Sequence, residues 1–200
     1  MILLDSQLVG EAHALPAPWT ADATVLVLGV GNVLMGDEGV GIHAIRRLER
    51  EPALPGVRLL DGGTGGGNLL AEFDGMRAVV LIDATRDGRR DGTIAYLRPQ
   101  CLNELPRGLG AHDFGLKDLF AATALLGRLP QIHLYTIAVS HVRPMCTALS
   151  DAVAAAVLPV VWTVHGHAAR LAAAFRPAAG APNTASPAPG SPTDAQPARR

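Results

Sequence analysis

The sequence predicts an α/β fold, a three-layer sandwich in which a central twisted, mostly parallel five-stranded sheet lies between helical layers. Three observations carry this expectation. Wholly apolar runs such as Thr24-Val25-Leu26-Val27-Leu28-Gly29 and Ala78-Val79-Val80-Leu81-Ile82-Asp83 are too continuous for a sheet with one wet face, so they require cover on both. The runs alternate with segments of helical period, the order expected of parallel strands joined by helical crossovers. With 200 residues, 48% of them hydrophobic, the chain can bury one sizeable core without metal or disulfide staples.

The elements follow in order. The first apolar run ends in glycines and is succeeded by a helix predicted within Glu38 to Arg50, where Val40, Ala44, Ile45 and Leu48 share one face and Pro52 halts the pattern. Val57 to Asp61 reads as a second strand closing on the cluster Gly62-Gly63-Thr64-Gly65-Gly66-Gly67, and a short helix fits Asn68 to Asp74. Ala78 to Asp83 is the third strand. After the polar turn from Arg86 to Asp91, Gly92 to Leu97 is a shorter strand whose polar entry predicts a sheet edge. Leu116, Leu119, Phe120 and Thr123 mark an amphipathic helix from Asp113, and Ile132 to Val139 is the last strand. A terminal helix is predicted from about Thr147 to Phe175, interrupted or kinked at Pro159.

Residues 1–23 mix Gly10, Pro16 and Pro18 with apolar residues that follow no period, and are expected to be a flexible extension. Residues 177–200 are built of Pro, Ala, Ser, Thr, Gly and other residues too polar or small to offset their ordering entropy, so a disordered tail is expected. The folded domain is then 24–176. A formal net charge of -1 and a pI near 6.6 give no basic field for nucleic acid. Cys101 and Cys146 lie far apart and outside any Cys-x-x-Cys spacing, which excludes a disulfide framework or a Cys-based zinc site. The N-terminus lacks a basic region ahead of an apolar one, and Ala152 to Val164 is too short to span a bilayer, so a cytoplasmic protein without membrane insertion is expected.

In parallel sheets ligands gather at the carboxyl ends of the strands, which directs attention to reactive residues just after a strand. Glu38 lies in the loop after the first strand, Asp83 closes the third, and His112 stands in Gly110-Ala111-His112-Asp113-Phe114-Gly115-Leu116 ahead of a helix. Two carboxylates and an imidazole make an O,O,N ligand set suited to nickel or zinc with coordination positions left open. Asp83 is hard to dismiss, because a carboxylate ending an apolar strand must be solvated or paired at the sheet rim, but the other two residues also have a plainer reading. Asp37 or Glu38 is as well explained by capping a helix start, and by spacing alone His112 stands no higher than His141. Gly29-x-Gly31 between a strand and a helix invites comparison with a dinucleotide-binding turn. Leu34, however, occupies the third glycine's position, and Asp37 and Glu38 put negative charge where phosphate would sit.

Taken together, four segments resemble the motifs of the hydrogenase maturation endopeptidases. These are Leu28 to Gly41, Asp61-Gly62-Gly63-Thr64, Leu81-Ile82-Asp83-Ala84 and His112-Asp113-Phe114-Gly115-Leu116, in the family's order across Thr24 to Phe175. The resemblance implies a phosphorylase/hydrolase-like α/β sandwich and makes Glu38, Asp83 and His112 the nickel-contacting residues. It also implies that the nickel arrives with the substrate, a nickel-loaded hydrogenase large-subunit precursor whose C-terminal extension is removed, so little or no resident metal is expected in the free enzyme. Asp61 resembles a further acidic position that either orients substrate or a catalytic water, or ties down the glycine loop after it. One segment departs from the family. Ser140-His141-Val142-Arg143-Pro144-Met145 lacks the Pro-Glu-bearing loop of many members, and His141 and Arg143 are expected to line a different cleft wall. Two other functions are weighed: a chaperone that docks the nickel-loaded subunit without cutting it, and a nucleotide-binding α/β protein.

Overall fold

The computed structural model describes residues 23–64, 67–99, 104, 116–125 and 129–176. Its strands are β1 (Val25–Gly29), β2 (Val57–Asp61), β3 (Ala78–Thr85), β4 (Ile94–Leu97) and β5 (Gln131–Ala138). They form one sheet in the order β2-β1-β3-β5-β4. Every pairing is parallel except that of β4 with β5. Burial follows position in the sheet. Every residue of β1 and β3 is buried, as is all of β5 after Gln131, while the edge strands β2 and β4 stay half-exposed. The continuous apolar runs thus mark the strands with neighbours on both sides, and the polar entry to the fourth strand marks an edge, as expected.

Helices cover both faces. On one, α1 (Val40–Leu48) and α3 (Asp151–Phe175) pack with Val25, Val27, Val80, Ile82, Tyr135 and Ile137. On the other, the 3-10 helix η2 (Gly67–Phe73) and α2 (Leu116–Leu125) cover Leu26, Leu28, Val79, Leu81 and Leu134, with Phe73 and Phe120 stacked 5.6 Å apart. The crossover from β1 to β2 passes through α1 and the return to β3 through η2. Because these connections run in opposite directions along the sheet, right-handed crossovers place them on opposite faces. The reversal falls between β1 and β3, the point at which ligands bind in open α/β sheets.

Some boundaries differ from expectation. The first helix is two elements, a 3-10 turn η1 (Gly36–Gly39) and then α1, because Gly39 ends the turn before the apolar face begins. β3 runs two residues past Asp83, and the predicted helix after the glycine cluster is 3-10 rather than α. The last helix begins at Asp151, four residues after the expected Thr147, and continues unbroken across Pro159. Pro159 is exposed, so the carbonyl it leaves unpaired can bind water, and Thr163 Oγ1 donates to the Pro159 carbonyl at 2.8 Å. At 25 residues α3 has the length and composition of a membrane span, but Val153, Ala156, Val160, Val161, Val164, Ala168 and Ala172 pack it on the sheet. The terminal stretches 1–22 and 177–200 lie outside the described residues.

Candidate active site

The loop from Val30 to Gly41 is shaped by glycines pressed backbone to backbone. A Cβ on Gly29 would lie 2.3 Å from the Gly41 carbonyl oxygen, and one on Gly41 would lie 2.2 Å from that of Val30 and 2.5 Å from that of Ile82. Gly31, with φ +141°, sits under Glu38, whose carbonyl oxygen would be 2.0 Å from an added Cβ. These contacts fold the loop back on itself and seat the start of α1 against the end of β3, where the Val30 amide also donates to Ile82 at 3.0 Å. The glycines therefore serve close chain packing here, which explains their number without a phosphate to cradle.

Within η1 the two neighbouring carboxylates part company. Asp37 is buried, and its Oδ1 accepts the Ser150 N–H at 2.6 Å, so it ties η1 to the residue that caps α3. Neither η1 nor α1 has a side-chain cap of its own, and the capping reading is realised by Asp37 on a distant helix. Glu38 is half-buried on the same turn, three residues before Gly41, whose Cα packs against the carbonyl of Ile82, the residue preceding Asp83.

Asp83 is buried at 4% exposure, and its Oδ2 is shut off from solvent. Side chains of Val79 and Leu81 belong to the α2 face, and the two-residue period of a strand puts Asp83 on that face as well. Its register partner on β5 is Thr136, also buried and on the same side by the parity of Leu134. Arg89 Nη2 donates to Thr136 Oγ1 at 3.2 Å. Arg89 is held in turn by Asp87, whose carboxyl its hydrogen bonds keep below the ordinary carboxylate value. Most buried polar side chains of the described residues, namely Asp37, Asp83, Thr85 and Thr136, thus cluster toward the carboxyl ends of the strands. Thr136 escaped sequence reasoning because only the register of β5 brings it beside Asp83, and Arg89 because only its hydrogen bond to Thr136 brings it to this rim.

Asp61 ends β2, opposite Gly29. Its Oδ1 accepts the Gly63 N–H at 3.0 Å, and Arg46 Nη2 stands 3.6 Å from Oδ2 in an exposed pair of little energetic weight. Tying down the glycine loop is therefore one role it has. His112 lies outside the described residues, shortly ahead of α2 in sequence. Among the described residues no group of three or more His, Cys, Asp or Glu is placed to hold a metal ion. On the far side of Glu38 the loop 33–36 is stitched to 143–146. Cys146 N–H donates to Leu34 O at 3.1 Å, Gly36 N–H to Cys146 O at 2.7 Å and Arg143 N–H to Met35 O at 3.2 Å. Arg143 is thus held against Met35 and Gly36, two residues before Glu38, and both it and His141, which is hydrogen-bonded to Ser140, are exposed.

Comparison with known proteins points to one family. A family model described as hydrogenase maturation protease matches residues 42–167, a span that contains Asp61, Asp83 and His112 and begins just after Glu38. The hydrogenase expression/formation protein HupD of Rhodobacter capsulatus is 40% identical over 112 residues, 53% of this chain and 52% of that protein. The hydrogenase 2 maturation protease of Escherichia coli K12 is 34% identical over 110 residues, 54% of this chain and 67% of that protein. The chain spans little more than half of the HupD relatives it matches, between 52% and 62% of their length. A solved structure titled hydrogenase maturating endopeptidase HybD from E. coli superposes with a TM-score of 0.66 at 30% identity, covering 72% of this chain and 90% of that one.

Proposed function

Because this chain belongs to the hydrogenase maturation protease family, we propose that it is an endopeptidase that removes the C-terminal extension of a nickel-iron hydrogenase large-subunit precursor after nickel insertion. The observation that carries the reading is the meeting of the Glu38 loop with the end of β3, which brings one half-buried and one buried carboxylate to the switch point of the sheet. Asp83 faces the layer of α2, and His112 is four residues before Leu116, a reach of at most about 14 Å for an extended chain. Glu38, Asp83 and His112 form the proposed ligand set, and Asp61 is a further acidic group at the same rim. The nucleotide-binding alternative, already weakened by the charge of Asp37 and Glu38, gains no support from the glycine contacts.

Nickel carried by the precursor is the proposed recognition element. Carboxylate and imidazole donors would complete the coordination of an ion already held by substrate thiolates, fixing the two proteins in register with the scissile peptide nearby. The ion supplies Lewis acidity to the carbonyl or acidifies a bound water. Hydrolysis adds one water across the C–N bond, and Glu38 or Asp83 accepts its proton and returns it to the leaving amine. The site of action is the cytoplasm, where the precursor is made.

The test is incubation of the purified protein with nickel-loaded and nickel-free precursor, read by mass spectrometry. Cleavage of the loaded form alone is expected, while lasting association without a mass change would identify a chaperone. Glu38→Gln, Asp83→Asn and His112→Ala are each expected to lower processing by about 100-fold or more while leaving the circular dichroism spectrum unchanged. Full activity in any of them removes that residue from the ligand set.

A further inference from the structure

Leu34 and Met145 are large apolar side chains that the fold leaves in solvent, 50% and 87% exposed respectively. Both belong to the clip in which 33–36 and 143–146 are joined by backbone hydrogen bonds and by a parallel bridge between Met35 and Cys146. The clip directly precedes Asp37 and Glu38, and Asp37 anchors it through Ser150, so its position relative to the candidate site is fixed. Met145 has φ +58°, the only non-glycine residue among those described to occupy the left-handed region. An unbranched apolar side chain held outward on a costly backbone conformation needs a partner to explain it, because glycine would fit that conformation freely and bury nothing. Methionine also adapts its shape to the surface it meets.

We propose that this clip is a docking ledge for the precursor polypeptide, on which Leu34 and Met145 receive an apolar side chain of the extended segment beside the bond to be cut. The inference rests on the endopeptidase reading for the identity of its occupant. A peptide segment anchored there lies alongside Glu38, and the ledge adds to substrate affinity without touching the reacting atoms. Leu34 and Met145 are therefore specificity-determining residues, and within the same clip Gly36 packs close to Arg143.

The test measures both binding of the nickel-loaded precursor and its processing for the wild type, Met145→Gly and Leu34→Ser. Met145→Gly relieves the left-handed conformation, so its thermal midpoint should equal or exceed that of the wild type. Its Kd and KM should nevertheless rise roughly tenfold, with kcat within about twofold of wild type. Leu34→Ser should do the same with an unchanged midpoint. If the variants bind and process as the wild type does, the ledge is refuted and the endopeptidase reading stands. If the wild type binds without cutting, the endopeptidase reading falls, and the variants' Kd values still decide the ledge. Should the wild type neither bind nor cut, both are overturned.

Discussion

Asp37 and Glu38 are adjacent acidic residues on one short turn, yet Asp37 is buried and accepts the Ser150 N–H, whereas Glu38 is half-buried. Sequence alone weighed capping against chemistry for either residue, and only the distant approach of α3 divides the roles between them. Asp83 was legible because a carboxylate at the end of an apolar strand demands a reason. His112 was not legible from spacing, and its place in the ligand set came from resemblance. Away from the cleft, His133 is buried between β4 and α3, with Tyr96 OH 2.8 Å from its Nδ1 and the His167 ring 4.7 Å away. Burial first, then the positive charge of His167 and Arg98, holds its pKa near 4. Tyr135, hydrogen-bonded to His167, and Arg170 complete the surroundings. Because the unfolded chain takes up this proton near pH 6.5 and the folded one only near 4, the contribution of His133 to stability is complete above about pH 6.5 and is lost as pH falls toward 4. Allowing for solvent near the edge strand, the loss is roughly 1–2 kcal/mol. Denaturant titrations from pH 7 to 4 should show a flatter pH dependence for His133→Gln than for the wild type. Equal slopes would mean that this histidine does not carry the effect.

The element that positions the site is the loop between β1 and α1, and its shape comes from contacts in which a single methyl group does not fit. Gly31→Ala would drive a Cβ into the Glu38 carbonyl and strain a positive φ, so a loss of about 2–4 kcal/mol is expected, with processing reduced further than stability explains because Glu38 moves. Chemical denaturation and the processing assay measure the two effects separately. A Gly31→Ala protein as stable and active as the wild type would show that the loop tolerates displacement of Glu38. The glycine spacing was visible in the sequence, but its purpose was not, since a turn around phosphate and a turn around its own backbone demand the same residue. The terminal helix shows the opposite error. Pro159 predicted an interruption or a kink, and the interruption does not occur because the residue falls on the solvent face of α3, where the lost hydrogen bond is cheap and apolar packing on the other face carries the helix through.

For the whole molecule, the sheet order follows from a few rules: buried strands read as unbroken apolar runs, polar entries mark edges, and right-handed crossovers reverse at one point. The antiparallel direction of β4 was beyond these rules, because a short edge strand carries no pattern that specifies its orientation. The same reversal that builds two helical layers puts the loop bearing Glu38 and the end of β3 bearing Asp83 at the switch point, and the proposed site and docking ledge both draw on the loop that follows β1.

The central claim is that side chains from separate stretches of the chain meet on a single ion. It is tested most directly by anomalous diffraction from crystals of the protein soaked in nickel at a concentration high enough to load the weak site expected in the absence of substrate. One peak within bonding distance of the Glu38 carboxylate, the Asp83 carboxylate and a ring nitrogen of His112 is the expected result. A peak bound by other residues, or electron density placing these three groups on different faces of the sheet, would contradict it.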